Sequence, residues 1–183
     1  LLKAGAQGSP TWASALPGAR IMPDDDVLAL EPQAHDLLIH AMGLHWANDP
    51  VGQIIQCARA LQADGLFLAA LPGGRCLQEL RASLAEAESR LTGGLSPRVL
   101  PMAEIRDLGG LLGRAGLALP VADSLMLNAS YRDLAHLAYD LRAMGEGNAL
   151  AARSRSPAQR ELFALAVDDV EIVVESGAGG AGC

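Results

Sequence analysis

The chain has 183 residues, half of them apolar, with a formal charge of -7 and a pI near 5.0. That length forms one ordinary domain with a core that needs no staples, and the acidic balance excludes the clustered Lys and Arg of a nucleic-acid surface. Cys57, Cys76 and Cys183 have no metal-ligand spacing and suggest a reducing compartment without a disulfide framework, and no apolar run approaches membrane-spanning length.

Residues 1–4 predict a short strand. Gly5-Ala6-Gln7-Gly8-Ser9-Pro10 follows, then a short helix over 11–16. A strand, a glycine turn and a helix start bring backbone close to a ligand, although two glycines three apart also make an ordinary turn. Pro17-Gly18 breaks the chain, and residues 19–22 predict another strand, ending in Pro23-Asp24-Asp25-Asp26. An acidic residue at such a strand end either holds a ribose hydroxyl or belongs to a solvated turn.

The stretch 34–81 organises the rest. It predicts a strand over 36–41, a corner at Gly43-Leu44-His45-Trp46 and a helix from Asp49-Pro50 to 62. A break at Ala63-Asp64-Gly65 precedes a strand over 66–71 and a long helix over 74–91. Such a βαβα unit implies parallel strands, and continuous apolar runs imply cover on both faces. In the long helix Leu77, Leu80, Leu84, Ala87 and Leu91 make one stripe, with Glu86 and Arg90 as an outward i,i+4 pair. Residues 92–101 are an irregular link. A helix over 104–115 turns Ile105, Leu108, Leu111, Leu112 and Ala115 inward and stops at Gly116. A strand over 121–127, a helix over 131–144, a link over 145–156 and a last strand over 170–174 complete the pattern, with a flexible glycine-rich tail over 177–183. Alternating strands and helices predict an α/β fold of about six strands.

Several stretches occur together in order: Leu44-His45-Trp46-Ala47-Asn48-Asp49-Pro50, Ala63-Asp64-Gly65-Leu66-Phe67-Leu68-Ala69-Ala70, Gly93-Gly94-Leu95-Ser96-Pro97-Arg98-Val99, Arg106-Asp107-Leu108-Gly109, Arg114-Ala115-Gly116 and Asp140-Leu141-Arg142-Ala143-Met144-Gly145-Glu146-Gly147-Asn148-Ala149. From about residue 24 to 177 the chain resembles the class I S-adenosylmethionine-dependent methyltransferase superfamily. Within it, the resemblance is to the branch of the mitochondrial complex I assembly factor 5 and alphaproteobacterial methyltransferase-like proteins.

The resemblance implies a Rossmann-like, mostly parallel methyltransferase sheet with helices on both faces and a reversed last hairpin. One domain over 1–176 would carry it. The cofactor would lie over the carboxyl ends of the first strands, against Gly5, Ala6 and Gly8, with Leu44 and His45 facing it and Asp24 or Asp25 near ribose or adenine. Only residues 16–20 separate the glycine-loop helix from the strand before Asp24, too few for the usual strand-helix pair. Either that pair is deleted and the cofactor half is shortened around 16–26, or the sequence omits a stretch there. Lys3 replaces an acidic residue, and Pro10 removes an N–H beside the loop.

These features leave three expectations: the two that follow, and an assembly factor that binds a client transiently through the link over 93–102 and the helix over 132–148, with or without cofactor. One is a degenerate methyltransferase-like protein acting as a structural or assembly subunit of a mitochondrial complex, with protein partners such as a respiratory-complex subunit. The other is an active enzyme binding S-adenosylmethionine, either a methyltransferase or an arginine hydroxylase assisting complex I assembly. Location would be the mitochondrial matrix side by resemblance, or the cytoplasm if the source is bacterial. Methyl transfer demands no obligatory base, so no catalytic residue is assigned, and no metal is expected. His45 is the one titratable side chain near the site and reads as structural or catalytic. His35, His40 and His136 carry no ligand pattern.

Overall fold

A computed structural model describes residues 2–3, 21–22, 25–99, 102–148, 150–151, 153–154, 160–167 and 173–182. Its elements run β1 (Leu2–Lys3), β2 (Ile21–Met22), β3 (His35–Ala41), a 3-10 turn (Leu44–Trp46), α1 (Pro50–Ala60), β4 (Leu61–Pro72), α2 (Gln78–Thr92), α3 (Ile105–Arg114), β5 (Ala118–Asn128), α4 (Leu134–Ala143), α5 (Arg160–Val167) and β6 (Val173–Gly182). β1 and β2 pair in parallel as a two-stranded sheet, and a second sheet has the order β3-β4-β6-β5. β3 and β4 are parallel, as a crossover through α1 requires. β6 is antiparallel to β4.

The described residues form two compact units. The first lies within 1–74, 103–125 and 176–183. Its core joins Ile54 and Cys57 of α1, Phe67, Ala69 and Leu71 of β4, and Leu112 of α3. Asp49 caps α1 by accepting from the Gly52 N–H at 2.8 Å, and Pro50 occupies the first turn, where a missing N–H costs nothing. The second unit lies within 75–102 and 126–175. There Leu80, Leu84 and Ala87 of α2 meet Leu137 of α4 and Leu162 and Ala166 of α5.

Three elements differ from the sequence expectation. The break at 63–65 lies inside β4: His35 pairs with Leu61 and Leu37 with Leu66, so a bulge absorbs the extra residues. Asp64 takes φ 63° there, and a Cβ on Gly65 would sit 2.9 Å from the Gln62 carbonyl oxygen. α5 occupies a stretch assigned to no element, because eight residues with Leu162 and Ala166 four apart give little periodicity. Of the last strand expected over 170–174, residues 170–172 lie outside the described residues; β6 runs on past the expected end, and residues 177–182 of the expected tail pair with 66–71.

β3 also departs from full cover. Leu37 is 48% exposed and Ile39 65% exposed, on a strand that, among the described residues, lies at an edge of the four-stranded sheet.

Candidate functional site

Beyond β3 the chain turns sharply. Met42 adopts φ 50°, a strained value for a long side chain, and its N–H donates to the Ala70 carbonyl at 2.7 Å. The 3-10 turn that follows aims Leu44 inward, where it is 3% exposed beside Ile54 and Leu71. His45 is half-buried, its ring 5.2 Å from that of Trp46 and tilted by 43°. Gly43 makes room for a neighbour, since a Cβ there would stand 3.0 Å from Cε1 of His40.

His40 is buried, and its Nε2 lies 3.1 Å from Oε1 of Gln53 on α1. Gln53, 2% exposed, extends its Nε2 toward the Asp25 carbonyl at 3.4 Å. One turn along, Gln56 donates to the Asp26 carbonyl at 2.9 Å and accepts from the Leu28 N–H at 2.7 Å. Asn48 donates to the Asp26 carboxylate at 3.0 Å. α1 and the residues before it thus grip the acidic segment.

Of the residues expected at a cofactor, Gly5, Ala6, Gly8 and Asp24 lie outside the described residues, as does Pro10. Asp25 is exposed beside α1, His45 is half-buried in the corner, and Leu44 belongs to the apolar core. The exposed carboxylates of Asp25 and Asp26 are acceptors and suit the hydroxyl or amino donors of a nucleoside. Within the first unit a cavity of about 20 Å³ lies among Leu44, Ile54, Leu71, Leu108, Leu112 and Ala122. It has room for a single water and none for a nucleoside. Among the described residues no group of three or more His, Cys, Asp or Glu could hold a metal ion.

In the second unit Glu88 of α2 is 6% exposed. Its carboxylate accepts from the Ser96 N–H at 2.8 Å, from the Ser96 hydroxyl and from Arg98 at 2.6 Å. Burial alone would push this carboxyl up. The hydrogen bonds from Arg98 and Ser96, with the Arg98 charge, outweigh it and bring the pKa to about 2. Asn148 holds the same loop by donating to the Pro97 carbonyl at 2.9 Å.

No family model matches the chain. It is 38% identical over 133 residues to the mitochondrial arginine-hydroxylase NDUFAF5 of Mus musculus, covering 73% of this chain and 39% of that protein. It is 30% identical over 145 residues to the malonyl-[acyl-carrier protein] O-methyltransferase of Laribacter hongkongensis, covering 79% of this chain and 47% of the relative. A solved S-adenosylmethionine-dependent methyltransferase from Methanosarcina mazei has the same fold with a TM-score of 0.50, at 12% identity, over 93% of this chain and 74% of that one.

The chain belongs to the class I S-adenosylmethionine-dependent methyltransferase superfamily.

Within the superfamily it falls on the NDUFAF5-like branch. It spans about two fifths of the length of the NDUFAF5 proteins from mouse and zebrafish. The α/β fold with a parallel β3-β4 pair fits that placement, and β6 supplies a reversed last strand.

Sequence reasoning passed over His40, Gln53, Gln56 and Glu88. Gln53 had a signal: with Cys57 and Ala60 it falls on the buried stripe of α1, at spacings of four and three. Glu88 lies one residue beyond Ala87, on the border of the apolar stripe, where a carboxylate usually faces water.

Proposed function

We propose that this is a methyltransferase-like protein with a degenerate cofactor half that acts as a structural or assembly subunit of a mitochondrial respiratory complex. β3 carries the reading: among the described residues it lies at an edge of a methyltransferase-type sheet and presents Leu37 and Ile39 to solvent, where a protein partner would cover them. Leu44 supports it, because a side chain expected to face the nucleoside is spent on the core. The NDUFAF5 relatives are mitochondrial by name, and complex I assembly, with a complex I subunit as partner, is what the resemblance to complex I assembly factor 5 implies. Among the described residues no helix is long and apolar enough to cross a membrane.

A second reading rests on the acidic segment. Asp25 and Asp26 are held by α1 with their carboxylates exposed, the arrangement a cofactor site would use. Asp25, together with Gly5, Ala6, Gly8 and Asp24, would then hold S-adenosylmethionine, and His45 would border the acceptor. When bound, that cofactor supplies the activated methyl group. As a methyltransferase, the chain would hold it in line with the acceptor and exclude water; the arginine-hydroxylase alternative is taken from the relatives' name and would need an oxygen source and an oxidant besides this cofactor.

Calorimetric titration with S-adenosylmethionine separates the two. The degenerate reading expects no binding heat at millimolar cofactor. A saturable isotherm would replace it with the enzyme reading.

A further inference from the structure

Residues 25–28 belong to neither strand nor helix, so their backbone polar groups need partners from elsewhere. α1 provides them through side-chain amides. Gln56 takes both kinds of group at once, accepting the Leu28 N–H at 2.7 Å and donating to the Asp26 carbonyl at 2.9 Å. An adjacent strand would pair with the segment in the same donor-acceptor manner. A third bond from the same amide, to the Gly52 carbonyl at 3.2 Å, fixes it against its own helix. Gln53, on the same helical face, reaches the Asp25 carbonyl while its oxygen lies against His40 of β3.

We propose that Gln56 and Gln53 are positioning residues, holding the acidic segment 25–28 in one backbone conformation and coupling it to α1 and the end of β3. The segment is preformed by the chain itself and needs no ligand to order it. Packing is the competing account, because Leu28 and Leu30 rest partly buried against the core of the first unit. The two accounts diverge at the amide. If packing alone orders the segment, removing the amide leaves it unchanged, since the leucines stay.

Site-resolved hydrogen exchange on the whole chain decides between them, comparing wild type with Gln56→Met and Gln56→Glu. Losing one such hydrogen bond should speed exchange at the Leu28 amide about five- to tenfold in Gln56→Met, while Ile54 and Cys57 within α1 keep their protection. Gln56→Glu keeps an oxygen for the Leu28 N–H but sets its other oxygen against the Asp26 and Gly52 carbonyls, so it too should speed exchange at Leu28. Unchanged exchange at Leu28 in Gln56→Met would overturn the proposal. So would faster exchange spread equally over α1, which marks a loss of helix stability and no specific positioning. The readout uses no ligand, so it stands apart from whether the chain binds S-adenosylmethionine.

Discussion

Glu88 shows how a single side chain sets a loop. A carboxylate this buried keeps its charge only when its oxygens are satisfied, and three donors from Ser96 and Arg98 do so. With the folded pKa at about 2, below the ordinary value of 4.5, the folded state binds the proton more weakly than the unfolded one. Its contribution is complete above about 4.5 and is lost as pH falls through about 2. Glu88→Gln leaves Arg98 without a counter-charge in a largely buried place, so it should destabilise the fold by about 2 kcal/mol at neutral pH. Urea unfolding of both proteins across pH checks this. The gap between them should narrow as pH drops from about 4.5 toward about 2. A gap that ignores pH would remove the carboxylate's charge as its source.

Among the elements, α1 links the core of the first unit to the acidic segment, and its start rests on Asp49. Asp49→Ala removes the acceptor for the Gly52 N–H and should cost about 1 kcal/mol, whereas Asp49→Asn should cost only about a few tenths. Thermal melts of the two variants distinguish a lost cap from a lost charge. This helix was legible in the sequence because Asp-Pro marks its start and apolar residues recur at helical spacing. The same logic placed α2, α3 and α4 to within a few residues at most ends. It failed where the local signal is short or is overruled by pairing. Eight residues of α5 span only two turns, and the glycines of β6 have weak strand preference, so the ladder with β4 decides their conformation. The bulge in β4 read as a break because Asp64-Gly65 is an equally good turn signal. The clamp on residues 25–28 was invisible for another reason: it joins side chains to backbone 28 and 30 residues away, and no periodicity reports such contacts.

For the molecule as a whole, the net charge of -7 opposes indiscriminate self-association, and the two strands that end the four-stranded sheet among the described residues are protected unequally. β5 exposes Leu119, Val121 and Leu125 but also carries Pro120, which cannot donate to a ladder, and Asp123 among them. Proline and charge on an edge are the usual guards against pairing. β3 has Asp36 near its start, and from Leu37 to Ala41 it presents no Lys, Arg, Asp, Glu or Pro. Its exposed Leu37 and Ile39 lie two apart, on one face of the strand. A partner is therefore expected on β3 and not on β5. Ile39→Lys, at an exposed position, should alter stability by no more than about 0.5 kcal/mol. If Ile39 anchors the partner, the same change should weaken association by about 2 kcal/mol, roughly thirtyfold. Quantitative recovery of the protein with complex I assembly intermediates, comparing Ile39→Lys with Leu125→Lys on β5, makes the test. Loss confined to Ile39→Lys supports docking through β3. Equal recovery of both variants at unchanged melting temperature would refute it and take away the main support for a subunit role.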